Sequence, residues 1–281
     1  MEKPSKFKAV GFGTMILVLF LLVQFIAGVI GTIGAMDMAF TKYGENFVYE
    51  DVIKEVTPMI LCASEVLCII AFGVWYYFEY VKKDKQNGTY ISGISKVARP
   101  KTLAFLICST ISIFSLALLI SHTVAALWPM SLHMFDSIMS TALDTDTSYG
   151  LITIMLLAPV AEELAFRGVT LKYSKKAFGM WGCIILTMIL FAILHLNPLQ
   201  SLYVIPISIL LAYLAYKFDS VIPAILVHVM NNSLSVLVPK VLNRDVTNTE
   251  ALAAMIIFGI LAIVFSGFKT VTSRKPALSN A

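Results

Sequence analysis

The segment Ala158-Pro159-Val160-Ala161-Glu162-Glu163-Leu164-Ala165-Phe166-Arg167-Gly168 sets two acids and a base inside a stretch otherwise apolar enough to cross a bilayer. An ionised side chain near the bilayer centre costs on the order of 3 kcal/mol on insertion scales, so such residues face a bundle interior and mark a site. Adjacent helical residues differ by about 100° in direction, so Glu162 and Glu163 cannot both point at one spot. Glu163 and Arg167 stand at i and i+4 with the acid on the N-terminal side, the better orientation for an intrahelical ion pair. That pairing leaves Glu162 free for chemistry.

Two further apolar segments carry histidines. His195 follows Phe191 by one turn in Phe191-Ala192-Ile193-Leu194-His195, and Asn197-Pro198 then ends the helix. His228 and Asn232 are four apart, about 6 Å along one helix face, where two N–H groups could grip a single oxygen. A carboxylate with three nitrogen-bearing side chains suits hydrolysis without a Ser or Cys nucleophile. Glu162, with His195, would take a proton from water; His228 and Asn232 would hold the tetrahedral oxyanion; the acid would then return the proton to the leaving amine. A metal version is also open, in which Glu162, His195 and His228 are zinc ligands.

These residues must be positioned by membrane helices. The chain has 281 residues, 58% hydrophobic and only 14% charged, far from the balance of a soluble domain. Long apolar stretches argue helical spans rather than a barrel, whose strands would alternate over about 10 residues. About eight transmembrane helices are expected, at 10–34, 57–80, 103–127, 148–171, 178–196, 199–216, 220–238 and 251–268. The expectation is therefore an all-α polytopic membrane protein, a single integral domain over 1–281, with the motif-bearing core at about 148–238. At 1.5 Å per residue, Glu162, His228 and Asn232 lie roughly 14, 12 and 18 Å from the cytoplasmic boundary, but His195 at about 21 Å fits less well. A tilted or bent fifth span, or one that starts later, would reconcile it.

Lys82, Lys83, Lys85, Lys96, Arg99 and Lys101 crowd one loop, and Lys172, Lys175, Lys176, Lys269, Arg274 and Lys275 fall on the same side, whereas 128–147 holds no base. Basic loops face the cytoplasm, which puts both termini there. Lys240 and Arg244 fall on the other side, next to Asp245 and Glu250. The net charge of +4 is dispersed over several loops without an aromatic interleave, so no nucleic-acid partner is implied. Cys62, Cys68, Cys108 and Cys183 lie inside spans without a CxxC pairing, as small buried hydrophobes. Segment 128–147, with Trp128, Met130, Leu132, Met134, Phe135 and Ile138, suits an interfacial or re-entrant piece, or a plain loop.

Glu-Glu-Leu-Ala-Phe-Arg-Gly at 162–168, Phe-x-x-x-His at 191–195 and His-x-x-x-Asn at 228–232 resemble, in order and on three spans, the motifs of the CAAX-protease and bacteriocin-processing (CPBP, Abi) family. These intramembrane endopeptidases are related to the type II CAAX prenyl endopeptidase. The resemblance implies an eight-helix fold with the site among spans four, five and seven. It implies catalytic Glu162, His195, His228 and Asn232 with Glu163, Arg167 and Phe191 in support, and it favours the metal-free version with no cofactor over zinc. The expected substrate is a hydrophobic or lipid-anchored peptide, met among the lipids of a membrane, here a bacterial cell membrane. Residues 1–147 carry none of these motifs.

Other readings compete. The same scaffold would serve a non-catalytic immunity or partner-binding membrane protein. A proton- or cation-coupled transporter would use buried acids and histidines as relays, but predicts inverted repeats that the sequence lacks. His122 and His133 read as interfacial, and mid-span Glu65 as a candidate cavity-lining acid.

Overall fold

The computed structural model describes residues 3–44, 46–142 and 147–267, and among these every regular element is helical. The basic tail residues Lys269, Arg274 and Lys275 lie outside the described residues. Seven helices are long and apolar enough to cross a membrane. In chain order they are α1 (Lys6–Tyr43), α2 (Tyr49–Gln86), α4 (Pro100–Leu127), α6 (Ser148–Ser174), α8 (Pro198–Phe218), α9 (Ile222–Leu242) and α10 (Asn248–Phe265). Between them sit three shorter helices: α3 (Gly93–Val97), α5 (Pro129–Ala142) and α7 (Met180–Leu194). The protein is an all-α polytopic membrane protein.

Two apolar clusters hold the bundle together. Ile16, Phe20, Phe72, Phe166 and Phe191 join α1, α2, α6 and α7, while Phe105, Leu211, Leu214, Phe218 and Val227 join α4, α8 and α9, with Ala262 of α10. Outward faces carry bare apolar side chains such as Phe25, Ile30 and Ile33 on α1 and Ile256, Ile260 and Ile263 on α10, which suits a lipid surround. Close approach of α1 is secured at Gly13, where an added Cβ would stand 2.7 Å from a Leu190 methyl.

Helix α7 is the departure from eight full spans. Its 15 residues measure about 22 Å, short of the roughly 30 Å hydrocarbon core. Leu196 turns through a left-handed conformation (φ 50°), and Asn197 caps α8 by accepting Gln200 N–H on Oδ1 at 3.1 Å. Ser201 Oγ donates to Ala192 O at 2.8 Å. These bonds hold the turn, although Asn197 Nδ2 is buried without a partner among the described residues, and His195 stands at the C-terminal end of this short helix.

On the basic side, Asp219 ends α8 in a left-handed conformation and accepts from Lys172 and Lys175 at 2.9 and 2.7 Å. Lys96 Nζ donates to Phe218 O and Asp219 O at 2.9 and 3.1 Å. This clasp ties α3 and the end of α6 to the α8–α9 turn. At the opposite end, Arg244 pairs with Glu250 inside the Thr247 capping box of α10, which neutralises one of the two bases that run against the charge asymmetry. Helix α5 packs against α2, α4 and α8, with the Phe135 ring edge-on to Tyr203 at 6.4 Å.

Candidate active site

Helix α6 is irregular around its acids. The α-helical stretch Ala158–Glu163 is flanked by π-helical turns at Thr153–Leu157 and Leu164–Thr170. Pro159 explains the first, because its ring would clash with the carbonyl four residues back in an α register. Ala158 N–H bonds Thr153 O, five residues back. The same register would pair Ile154 O with residue 159, a proline without an N–H, so Ile154 O needs a donor from elsewhere. Asn232 Nδ2 supplies it at 3.1 Å.

The two glutamates point apart. Glu163 is fully buried, and its Oε1 accepts from Arg167 Nη1 at 2.9 Å and from His228 Nδ1 at 3.0 Å. Arg167 Nη2 donates in turn to Ser208 Oγ and Ser208 O at 2.7 and 3.2 Å, and the guanidinium stacks 4.5 Å above the Phe191 ring. Glu162 instead keeps 15% of its side chain exposed and brings Oε2 to 3.7 Å from His228 Nε2. That spacing is too long for a direct hydrogen bond, but both atoms can reach one water at about 2.8 Å.

The acceptors fix both imidazoles. A carbonyl or an ionised carboxylate only accepts, so the ring nitrogen facing it carries the hydrogen. His195 Nδ1 donates to Phe191 O at 2.8 Å, which leaves Nε2 with a lone pair. His228 Nδ1 donates to Glu163, which leaves Nε2 directed at Glu162. The Phe191 ring lies between them, with ring centroids 4.8 Å from His195 and 5.8 Å from His228.

Glu162, His195, His228 and Asn232 all line one cavity of about 480 Å³, within the range of ligand sites. Its walls come from α2, α4, α5, α6, α7, α8 and α9. Three contributors to the site escape sequence reasoning. Ser208, which anchors Arg167, is one hydroxyl in an apolar helix and carries no spacing signal. Asn231 lines the cavity and donates to Asn232 Oδ1 at 3.3 Å; the doubled Asn231-Asn232 was the available clue. Gln24, on α1, donates to Glu65 Oε1 at 2.7 Å, and only the fold brings those two together. Of the remaining histidines, His122 meets Asn248 at 2.6 Å away from the cavity.

Residues 145–234 match the family model Rce1-like, described as type II CAAX prenyl endopeptidase Rce1-like. About a third of the chain is thus similar to the Rce1-like family. The matched third of the sequence spans α6 to α9 and includes Glu162, Glu163, Arg167, Phe191, His195, His228 and Asn232. It supports a CAAX-type intramembrane protease family. No curated protein and no solved structure matches the chain. Among the described residues no group of three or more His, Cys, Asp or Glu side chains is disposed to hold a metal ion.

Proposed function

We propose that the protein is an intramembrane endopeptidase that cleaves a hydrophobic or lipid-anchored peptide with water activated by Glu162 and His195. The observation that carries this reading is the division of labour between the adjacent acids: Glu163 is consumed by Arg167 and His228, while Glu162 faces the cavity beside a histidine. Glu162 Oε2 takes one proton of a bound water, whose second O–H donates to the His195 Nε2 lone pair, as the water oxygen adds to the scissile carbonyl carbon. The carbonyl oxygen becomes an oxyanion. Asn232 Nδ2 has one hydrogen on Ile154 O and a second to offer it. His228, carrying hydrogens on both ring nitrogens between the Glu163 and Glu162 carboxylates before substrate arrives, turns its Nε2–H to the oxyanion, so that its positive charge already stands where the negative charge develops. Glu162 then delivers its proton to the amine nitrogen as the C–N bond breaks, the His195 Nε2 lone pair takes the proton left on the new acid, and the product carboxylate leaves.

The metal-free route is the one proposed; the zinc alternative would engage Glu162, His195 and His228 as ligands. A panel of quenched-fluorescent hydrophobic peptides, cleaved by purified protein in detergent, separates the readings. Glu162→Gln and His228→Ala are each expected to lower kcat by about 10²–10⁴-fold, the usual worth of a positioned acid–base group, with wild-type activity unchanged by chelator. Full cleavage by Glu162→Gln would overturn the assignment and favour a non-catalytic immunity or partner-binding role. Loss on chelation with recovery on adding zinc would turn the three residues into ligands.

A further inference from the structure

One titratable group in the cavity has no part in that chemistry. Glu65, on α2, is 4% exposed and lines the same cavity as Glu162 and the two histidines. Its Oε1 accepts from Gln24 Nε2, but its Oε2 is buried without any partner. A buried carboxyl oxygen left unmatched is costly, and a group serving only to hold α1 to α2 would be a glutamine, which makes the same hydrogen bond without a charge. The other fully buried acid, Glu163, has Arg167. Glu65 has no such cation: the lining holds two carboxyl groups, Glu162 and Glu65, and neither Lys nor Arg. Nearby polar groups do not fill the gap, since Ser64 Oγ is spent on Leu61 O at 2.8 Å. The cavity lining thus carries two carboxyl groups, and the Oε2 of Glu65 is buried with no hydrogen-bond partner among the described residues.

We propose that Glu65, held by Gln24, is a specificity-determining subsite that binds an ammonium group of the peptide substrate. The ammonium would come from a lysine side chain or from the peptide's own α-amine, and in either case it supplies the charge-assisted donor that Oε2 lacks. Binding it removes the cost of the unmatched oxygen only when substrate fills the cavity, so Glu65 adds discrimination between peptides rather than a step in bond cleavage. This rests on the proteolytic reading of Glu162 only for the identity of the ligand as a peptide.

The test uses four peptides of one apolar sequence: lysine with acetylated N-terminus, norleucine with free N-terminus, norleucine with acetylated N-terminus, and lysine with free N-terminus. Binding is measured by fluorescence anisotropy on full-length Glu162→Gln protein, and kcat/KM on the wild type. A charge-assisted hydrogen bond contributes about 1.5–3 kcal/mol, so the wild type should prefer an ammonium-bearing peptide over the doubly neutral one by roughly 10- to 100-fold. The arm that carries the preference identifies lysine or α-amine as the source. Glu65→Gln should collapse the ratio to about twofold, and Glu65→Asp should keep part of it. No preference in the wild type overturns the proposal without needing any variant. So does an equal loss on all four peptides in Glu65→Gln with the ratio kept, which would make Glu65 structural. Because the binding arm needs no cleavage, an inactive wild type whose Glu162→Gln counterpart still selects ammonium peptides in the anisotropy measurement would sink the protease reading and leave this subsite standing.

Discussion

Arg167→Met tests whether the buried Glu163–Arg167–Ser208 network holds the candidate site in shape. Both side chains of the ion pair are fully buried, so neither solvent nor salt screens them as at a surface. Opposite charges about 4 Å apart attract by roughly 4 kcal/mol at an effective dielectric near 20. Removing the arginine leaves Glu163 with only the His228 Nδ1–H, since its Oε2 already lacks a partner. Breaking a buried pair from one side typically costs about 3–5 kcal/mol, because the survivor is an uncompensated charge. For a chain of this size about 2–4 °C of Tm accompanies each kcal/mol, so Arg167→Met should melt about 10 °C below wild type in one detergent at one scan rate. Glu163→Gln alone should cost less, because Ser208 and the Phe191 ring still hold the guanidinium. The informative variant is the double one. Glu163→Gln with Arg167→Met removes both charges, keeps an acceptor oxygen for His228, and should return to within about 2 kcal/mol of wild type. Size-exclusion melting curves on the four proteins give the coupling. Losses that add to within about 0.5 kcal/mol would refute the pairing and with it the claim that Arg167 neutralises Glu163.

Two further outcomes follow from the ends of the bundle. Burial pushes the Asp219 carboxyl up, but Lys172 and Lys175 outweigh it and hold the group below the ordinary value of 3.8. Its stabilisation is then complete above that value and is lost as pH falls below it. Asp219→Asn should therefore melt a few degrees lower at pH 7, about 1 kcal/mol for a half-exposed cluster, with the gap closing below about pH 4; a gap independent of pH would refute the ion-pair account. The second concerns sidedness. In the topology set by the basic loops, the cavity lining extends through the non-cytoplasmic parts of α4, α6, α8 and α9, among them Ser121, Thr153, Gln200 and Ser235. A Ser235→Cys protein lacking Cys62 should react with a membrane-impermeant maleimide added outside intact cells, and reaction only after permeabilisation would reverse the assigned entry side.

Sequence spacing reveals what one helix can decide by itself. The i,i+4 offsets of Glu163 to Arg167, Phe191 to His195 and His228 to Asn232 each state a face and a neighbour, and hydropathy states which faces must turn inward. It cannot reveal who meets whom across helices. Glu163 to His228 is a contact between residues 65 positions apart, and Gln24 to Glu65 joins two helices of the half that carries no motif. The depth misfit of His195 has its reason in the helix: counting from a surface assumes that each helix crosses, whereas α7, at about 22 Å, is shorter than the roughly 30 Å hydrocarbon core.

The tie between Asn232 and Ile154 shows the harder limit. Asn232 reads from sequence as a free amide four residues after a histidine, available whole to an oxyanion. In the fold, Pro159 forces a π turn, the turn orphans Ile154 O, and Asn232 spends one of its two amide hydrogens there. Every link in that chain is local physics, yet it passes from α6 to α9 through a register shift that hydropathy does not encode. The consequence is functional. An amide anchored on a fixed carbonyl has its oxygen and nitrogen assigned and its plane held, so the second N–H points one way before substrate arrives. A donor set in advance costs no reorganisation when charge develops, so on the proposed mechanism the proline beside Glu162 and Glu163 is part of what aims Asn232.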